Sequence, residues 1–453
     1  MTYDLWISNA LIVEEHGVWR GNIGVRNGLI TTLTTAEPDG PTAELLDAGG
    51  RPVLPGLIDV HVHFNQPGRT EWEGFTTGSM AAAAGGVTTV IDMPLNCAPA
   101  IIDGVTLHNK IAALEGQSLV DYALWGGLVE DNVAQLAGQD TAGALAYKAF
   151  MSNSGIDDFV SVSDGVLLAG LAHAAHSGRL VAVHAENDAL TAYLAAQLRA
   201  QGRIDRRAWL ESRPPLAEVE AISRALLLAR HTGARLHIVH VSTPEGIDLV
   251  QQARAAGQPV TCETCPHYLV LDEEDFEAIG PVAKCAPPLR PRAAVEGLWQ
   301  RLLSGEIDLV ASDHSPCPTT DKTRGADDIW AAWGGISGVQ TMLPLLLHEG
   351  VHRRGMPLPL LARLTSANPA RIFGLAPSKG SLRPGADADC VILDPDVEWE
   401  VTPQALHARH SHSPFLGWRL RGCVRTTLVR GQVVYDQGMF RVQPGHGRLL
   451  LPA

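Results

Sequence analysis

Between residues 56 and 312, eight short apolar runs alternate with segments of helical spacing, and this alternation constrains the fold most strongly. The runs cover 56–62, 87–93, 122–128, 145–151, 180–184, 236–241, 260–263 and 309–312; residues 217–231 and 293–303 exemplify the helical segments. Strands covered on both faces read as continuous apolar runs, and a helical crossover between neighbours makes their sheet parallel. Eight such units predict an α/β fold, a TIM-like (β/α)8 barrel. An open doubly wound sheet fits less well, because no dinucleotide-type glycine fingerprint follows the first run.

The two ends read as strands instead. Residues 4–13 are rich in β-formers, and the run 21–34 is broken by the hairpin signal Asn27-Gly28. Residues 388–393 and 424–435 are similar, the second interrupted at Arg430-Gly431. One small β-sandwich domain assembled from both termini, 1–53 and 376–453, is therefore expected around a barrel at 54–375. The 453 residues have room for such a division, and 45% hydrophobic with 19% charged residues excludes global disorder. A net charge of −14 argues against a chain-wide surface for nucleic acid. No apolar run reaches the roughly 18 residues of a spanning helix, and the first residues carry acids where a signal peptide would carry bases. Seven cysteines are too few, and odd in number, for a disulfide scaffold. The expectation is a cytoplasmic protein with no membrane or nucleic-acid partner. The one local basic cluster, 409–425, reads as a solvated loop or a subunit contact.

Unusual residues fall at the C-terminal ends of the runs. The first ends Asp59-Val60-His61-Val62-His63, and residues two apart on a strand share a face. An isolated pair of this kind is as readily two exposed histidines as a metal pair. The fourth run, however, carries Lys148, the fifth ends at His184, the sixth carries His240 and the eighth leads into Asp313. In barrel enzymes catalytic groups gather at this rim from several strands. Five such coincidences favour a metal site over five unrelated core or loop residues. Four histidines supply two nitrogens to each of two divalent ions, zinc being the usual choice for imidazole, and Asp313 adds a carboxylate. A plain ammonium at Lys148 would be repelled by two cations, whereas its carbamate offers one oxygen to each. Water between two such ions loses a proton near neutral pH, and Asp313 is placed to take that proton and pass it to a leaving nitrogen.

This set, His61-x-His63, Lys148, His184, His240 and Asp313, resembles the binuclear amidohydrolase superfamily in its cyclic-amidase branch, over nearly the whole chain. Several stretches are similar to allantoinases: 64–74, 92–96, 263–268, 284–288, 312–317 and 333–340. The resemblance implies that His61, His63 and Asp313 hold one metal and His184 and His240 the other. Lys148, as N6-carboxylysine, would bridge them. It implies hydrolysis of (S)-allantoin to allantoate in purine degradation, two divalent ions per subunit (zinc, with cobalt, manganese or iron as alternatives) and a homotetramer. Gln66 stands where many allantoinases are acidic. Asn153 replaces the tyrosine of dihydropyrimidinases five residues after the bridging lysine, and Leu95-Asn96 replaces the Asn-Thr of dihydroorotases. A hydantoinase or dihydropyrimidinase of broader ring tolerance is the alternative enzyme. A non-catalytic scaffold relative would typically have lost a ligand, and all six are present.

Arg69, Asn96, Asn153, Cys285 and Ser315 are candidate substrate contacts. Arg69 has an equal alternative in a salt bridge with Glu71 or Glu73, and Cys285, like Cys317, as a buried spectator thiol. Asp59 and His267 read as supports that orient ligands. Trp330 and Trp333, in a late loop, are candidates to cover the site. Cys262 and Cys265 fall on opposite faces of a strand and read as packing.

Overall fold

The computed structural model describes residues 2–452. Strands β1 (Tyr3–Glu14), β2 (Gly17–Arg26), β3 (Leu29–Thr34), β4 (Thr42–Asp47) and β5 (Pro52–Pro55) form the N-terminal end. The middle contributes β6 (Leu57–Val62), β7 (Val87–Asp92), β8 (Asp121–Leu124), β9 (Gly126–Gly127) and β10 (Tyr147–Phe150). It continues with β11 (Leu180–His184), β12 (Arg235–Ile238), β13 (Val260–Thr264) and β14 (Leu309–Val310). The chain closes with β15 (Cys390–Glu400), β16 (Arg419–Val429), β17 (Gln432–Asp436) and β18 (Met439–Phe440).

All eight apolar runs contain strands, paired in parallel and in chain order as two arcs, β6-β7-β8 and β9 through β14. The run 122–128 is split because its strand changes partner at Trp125, whose indole donates to Val60 O at 2.8 Å. Leu145 N donates to Leu124 O at 3.0 Å between the arcs, and a parallel bridge pairs Val62 with His314 at their other ends. Helices cover the strands. Pro215–Thr232 begins with proline in its first turn, ends at Gly233 (φ 72°) and buries Ala217, Ala221, Ile222, Ala225 and Ala229, a stripe with three- and four-residue spacing.

The two ends share one nine-stranded sheet of order β18-β17-β16-β15-β5-β1-β2-β3, with β4 also paired to β1. They meet where Cys390 on β15 lies opposite Pro55 on β5. The strands of the expected β-sandwich are hydrogen-bonded into one sheet, with register shifts at Ile7/Ala10 in β1 and Asp394/Glu398 in β15, and Ile7, Ile12, Ile23, Val53 and Leu428 share one buried cluster. Asn27-Gly28 and Arg430-Gly431 turn with positive φ at both residues, 51° and 77°, then 49° and 73°, as tight hairpins require.

The basic stretch 409–425 is not free in solvent at its start. Arg409 donates from its backbone N to Glu73 Oε1 at 3.0 Å and from Nε to Glu73 O at 2.6 Å, and His410 donates to Glu71 O. Glu73 is fully buried, and a buried carboxylate needs such donors. Among the described residues, no helix is long and apolar enough to cross a membrane.

Candidate metal centre and active site

The C-terminal ends of the parallel strands place the chemistry-bearing residues. His61 lies on β6 and His63 just beyond it; His184 ends β11, His240 follows β12, Asp313 follows β14, and Lys148 lies within β10. All six are buried. His61 Nε2 and His63 Nε2 lie 3.2 and 3.5 Å from the same Asp313 oxygen, and these three residues form one group able to hold a cation. His184 Nδ1 and His240 Nε2 face each other at 3.0 Å, close to the about 3.3 Å that separates two nitrogens on one tetrahedral zinc-like ion. His240 and Asp313 carry φ values of 39° and 45°, left-handed conformations that non-glycine residues hold at a cost. Strain at two candidate ligands is the pattern of a site whose geometry is imposed by the surrounding fold.

Carboxylates behind the imidazoles fix which nitrogen faces the site. Glu263, inside the apolar strand β13, accepts from His61 Nδ1 and His237 Nε2 and from the backbone N of His240. Its bond to Nδ1 leaves the Nε2 lone pair of His61 directed at Asp313. Burial opposes ionisation of Glu263, but the His61 and His237 rings hold its carboxyl at about 2. Glu186 accepts from His184 Nε2 at 2.8 Å and pairs with Arg213, so the Nδ1 lone pair of His184 faces His240. Burial again opposes its ionisation, yet Arg213 and His184 hold it at about 2. Burial lowers His61, His184 and His240 toward the neutral, ligating form.

Lys148 is the anomaly. It is fully buried, its Nζ has no hydrogen-bond partner, and it stands 5.1 Å over the Phe150 ring, which itself stacks on His184. Burial pushes its ammonium down to about 8. Its charge opposes protonation of His61, His184 and His240 alike. An orphaned buried amine whose charge bears on three imidazoles fits a centre that would bind cations through a modified lysine and poorly fits a packing role.

The other expected residues are distributed unevenly. Asp59 Oδ1 accepts from the backbone N of His61 and of Ser312, bracing both sides of the group, and burial raises its carboxyl to about 7. His267 is buried with both ring nitrogens unpartnered. Asn96 Nδ2 approaches Ser315 Oγ at 3.5 Å, so these two meet. Arg69 makes no ion pair with Glu71 or Glu73; its guanidinium donates to Asn96 O at 3.1 Å. Gln66 ties down the helix Phe75–Ala84, accepting from Phe75 N at 2.9 Å. Asn153, Lys284 and Ala286 line an open cavity of about 710 Å³, while Cys285 between the last two is buried. Cys262 and Cys265 are both buried in the main core, as a packing role requires. The sequence reading missed Glu263, Glu186 and Arg213. A charged residue at the end of an apolar run, the signal that singled out Lys148, also marks Glu263.

The sequence pattern described as the amidohydrolase family matches residues 53–434. The chain belongs to this family. Its relatives are similar from end to end. An allantoinase of Rubrobacter xylanophilus is 47% identical over 99% of this chain and 98% of that protein. An allantoinase of Deinococcus radiodurans is 45% identical over 100% and 99%. Among solved structures, the L-hydantoinase (dihydropyrimidinase) of Arthrobacter aurescens superposes with a TM-score of 0.97 at 36% identity, covering 99% of this chain and 100% of that one. The amidohydrolase is thus a hydrolase of cyclic amides; its family implies a divalent metal site, and the His/Asp group could hold such an ion.

Proposed function

We propose that this amidohydrolase opens the hydantoin ring of (S)-allantoin by hydrolysis of its cyclic amide bond, yielding allantoate in purine breakdown. The observation that carries the reaction type is the convergence of His61, His63 and Asp313 beside the unpartnered, buried Lys148. The substrate follows from full-length similarity to allantoinases. In this reading the two arcs close into an eight-stranded barrel, residues 54–375, flanked by one β-domain from 1–53 and 376–453.

His61, His63 and Asp313 would hold one divalent ion and His184 and His240 a second, with Lys148 bridging as N6-carboxylysine. Only an unprotonated amine combines with carbon dioxide, and a lysine pushed down to about 8 offers that form far more readily than an exposed one. Zinc suits the imidazole-rich set; cobalt, manganese and iron are the alternatives. When bound, such ions supply Lewis acidity, polarising the ring carbonyl and acidifying water. The chain supplies the rest. Burial opposes ionisation of Asp313, but His61 and His63 keep its carboxyl far below the usual range, so it is ionised and accepts hydrogen bonds. It takes the proton from the attacking water and returns it to the ring nitrogen as the C–N bond breaks. In this reading Asn153, on the cavity wall, and the Asn96–Ser315 pair would receive the ring and its ureido group, with Arg69 acting through the Asn96 carbonyl.

Hydantoinase activity is the second reading, favoured by the close superposition on the Arthrobacter aurescens enzyme. A cytoplasmic homotetramer completes the proposal; a reducing compartment suits seven unpaired cysteines, six of them buried. Metal removal tests the site. Chelation should abolish turnover, and zinc or cobalt with bicarbonate should restore it as about two ions bind per chain. Full turnover by a metal-free chain would refute the assignment.

A further inference from the structure

The cavity of about 710 Å³ is walled by segments that follow the C-terminal ends of β10, β11, β13 and β14. One wall, 330–334, carries Trp330 and Trp333, the latter edge-on to Trp72 at 4.7 Å. Two lysines hold that wall. Lys284 and Lys322 are 3% and 2% exposed. Lys284 Nζ donates to the carbonyls of Ile329 at 2.8 Å and Ala332 at 2.6 Å. Lys322 Nζ donates to those of Gly335 at 2.5 Å, Trp333 at 3.0 Å and Lys284 at 3.4 Å. Among the described residues, every hydrogen-bond partner of these two ammonium groups is a backbone carbonyl. Burial, reinforced at Lys284 by the neighbouring Lys322 charge, pushes them down to about 7 and about 8. Buried cations without carboxylate hydrogen-bond partners are costly; here carbonyl dipoles offset that cost, joined at Lys284 by the Trp209 ring, 4.1 Å from Nζ.

The clasped segment runs on to the catalytic group. Gly335 N donates to Lys284 O, and Ser315 N, two residues past Asp313, donates to Ile336 O at 2.9 Å. A Cβ on Gly335 would stand 2.3 Å from Ser315 O, so wall and rim are in direct contact. At Gly334, a Cβ would meet nothing within 4 Å, so backbone here borders open cavity.

We propose that Lys284 and Lys322 are positioning residues that clasp 329–335 into a rigid wall of the substrate cavity and thereby set affinity for a cyclic ureide, a role that rests on the cyclic-amide reading of the site. Neither lysine touches the reacting bond. Lys322→Met keeps the aliphatic stem and removes the donors. For whichever ring the parent opens, KM should rise about tenfold while kcat falls by less than about threefold. Metal content should stay at the parent value, and acrylamide should quench tryptophan fluorescence more readily as the wall loosens. Lys284→Met, which severs the bonds to Ile329 and Ala332 and the contact with the Trp209 ring, should give the same split and serves if the first variant fails to fold. A fall in kcat at unchanged KM, or unchanged constants with unchanged quenching, would overturn the clasp. A parent inert on every ring whose variants still gain quenching would reject the activity and leave the clasp standing.

Discussion

At the residue scale the decisive feature is a buried amine with nothing to bond. Lys148 sits amid imidazoles that burial keeps neutral, and its own ammonium is pushed down to about 8 by the same burial. Left as an ammonium it is a buried charge with no hydrogen-bond partner, opposed in its downward shift by Glu263 and Asp313; as a carbamate it would be an anion suited to two cations. Lys148→Ala should therefore lose most bound metal and nearly all turnover, with short carboxylic acids restoring part of both by filling the space. Elemental analysis beside the assay checks this, and an alanine variant with both metals and parental turnover would remove the bridging role. The six ligand candidates were legible because each interrupts an apolar run at its end. Of their supports Asp59 was legible, while Glu186 and the role of Glu263 were not, because these acquire meaning only from what the fold sets against them, the Nε2 of His184 and the Nδ1 of His61.

At the element scale the loops after the strands decide what the rim can do. The loop after β6 reaches across to the one after β7, with Gly68 at φ 82° and a Cβ there only 2.1 Å from Ala98 O. Gly68→Ala should cost about 1–3 kcal/mol, since both the backbone conformation and the contact exclude a side chain. Thermal unfolding reads that loss, and an unchanged midpoint would show that the loops separate freely. The alternation of apolar runs made the strand order readable, and Asn27-Gly28 and Arg430-Gly431 made two hairpins readable. Strands β4 and β5 escaped notice: β4 is largely exposed with no buried alternation, and β5 is four residues long and bounded by prolines. The docking of Arg409 on Glu73 was equally hidden, since it joins positions 336 residues apart.

At the scale of the whole molecule, a buried charge cluster joins the central strands to the terminal sheet. Lys379 reaches Asp121 of β8 at 2.5 Å, Asp387 at 2.9 Å and Asp389 at 2.7 Å, and Arg430 of the β16–β17 turn also pairs with Asp121. The three aspartates form a group able to hold a metal, but the Lys379 ammonium already supplies their cation. Lys379→Met should cost about 3–5 kcal/mol by leaving buried carboxylates uncompensated. Denaturant unfolding measures this, and a loss within error of zero would mean that the two parts of the molecule are held together elsewhere. Such a cluster ties strand β8 to the sheet built from both termini. A molecule so built, and so similar to allantoinases along its whole length, should open the allantoin ring. The most direct measurement is allantoate formation from allantoin by the purified, metal-replete protein, with hydantoin and dihydrouracil assayed beside it. Turnover of allantoin well above both other rings is the predicted result; opening of hydantoin or dihydrouracil with none of allantoin would contradict it.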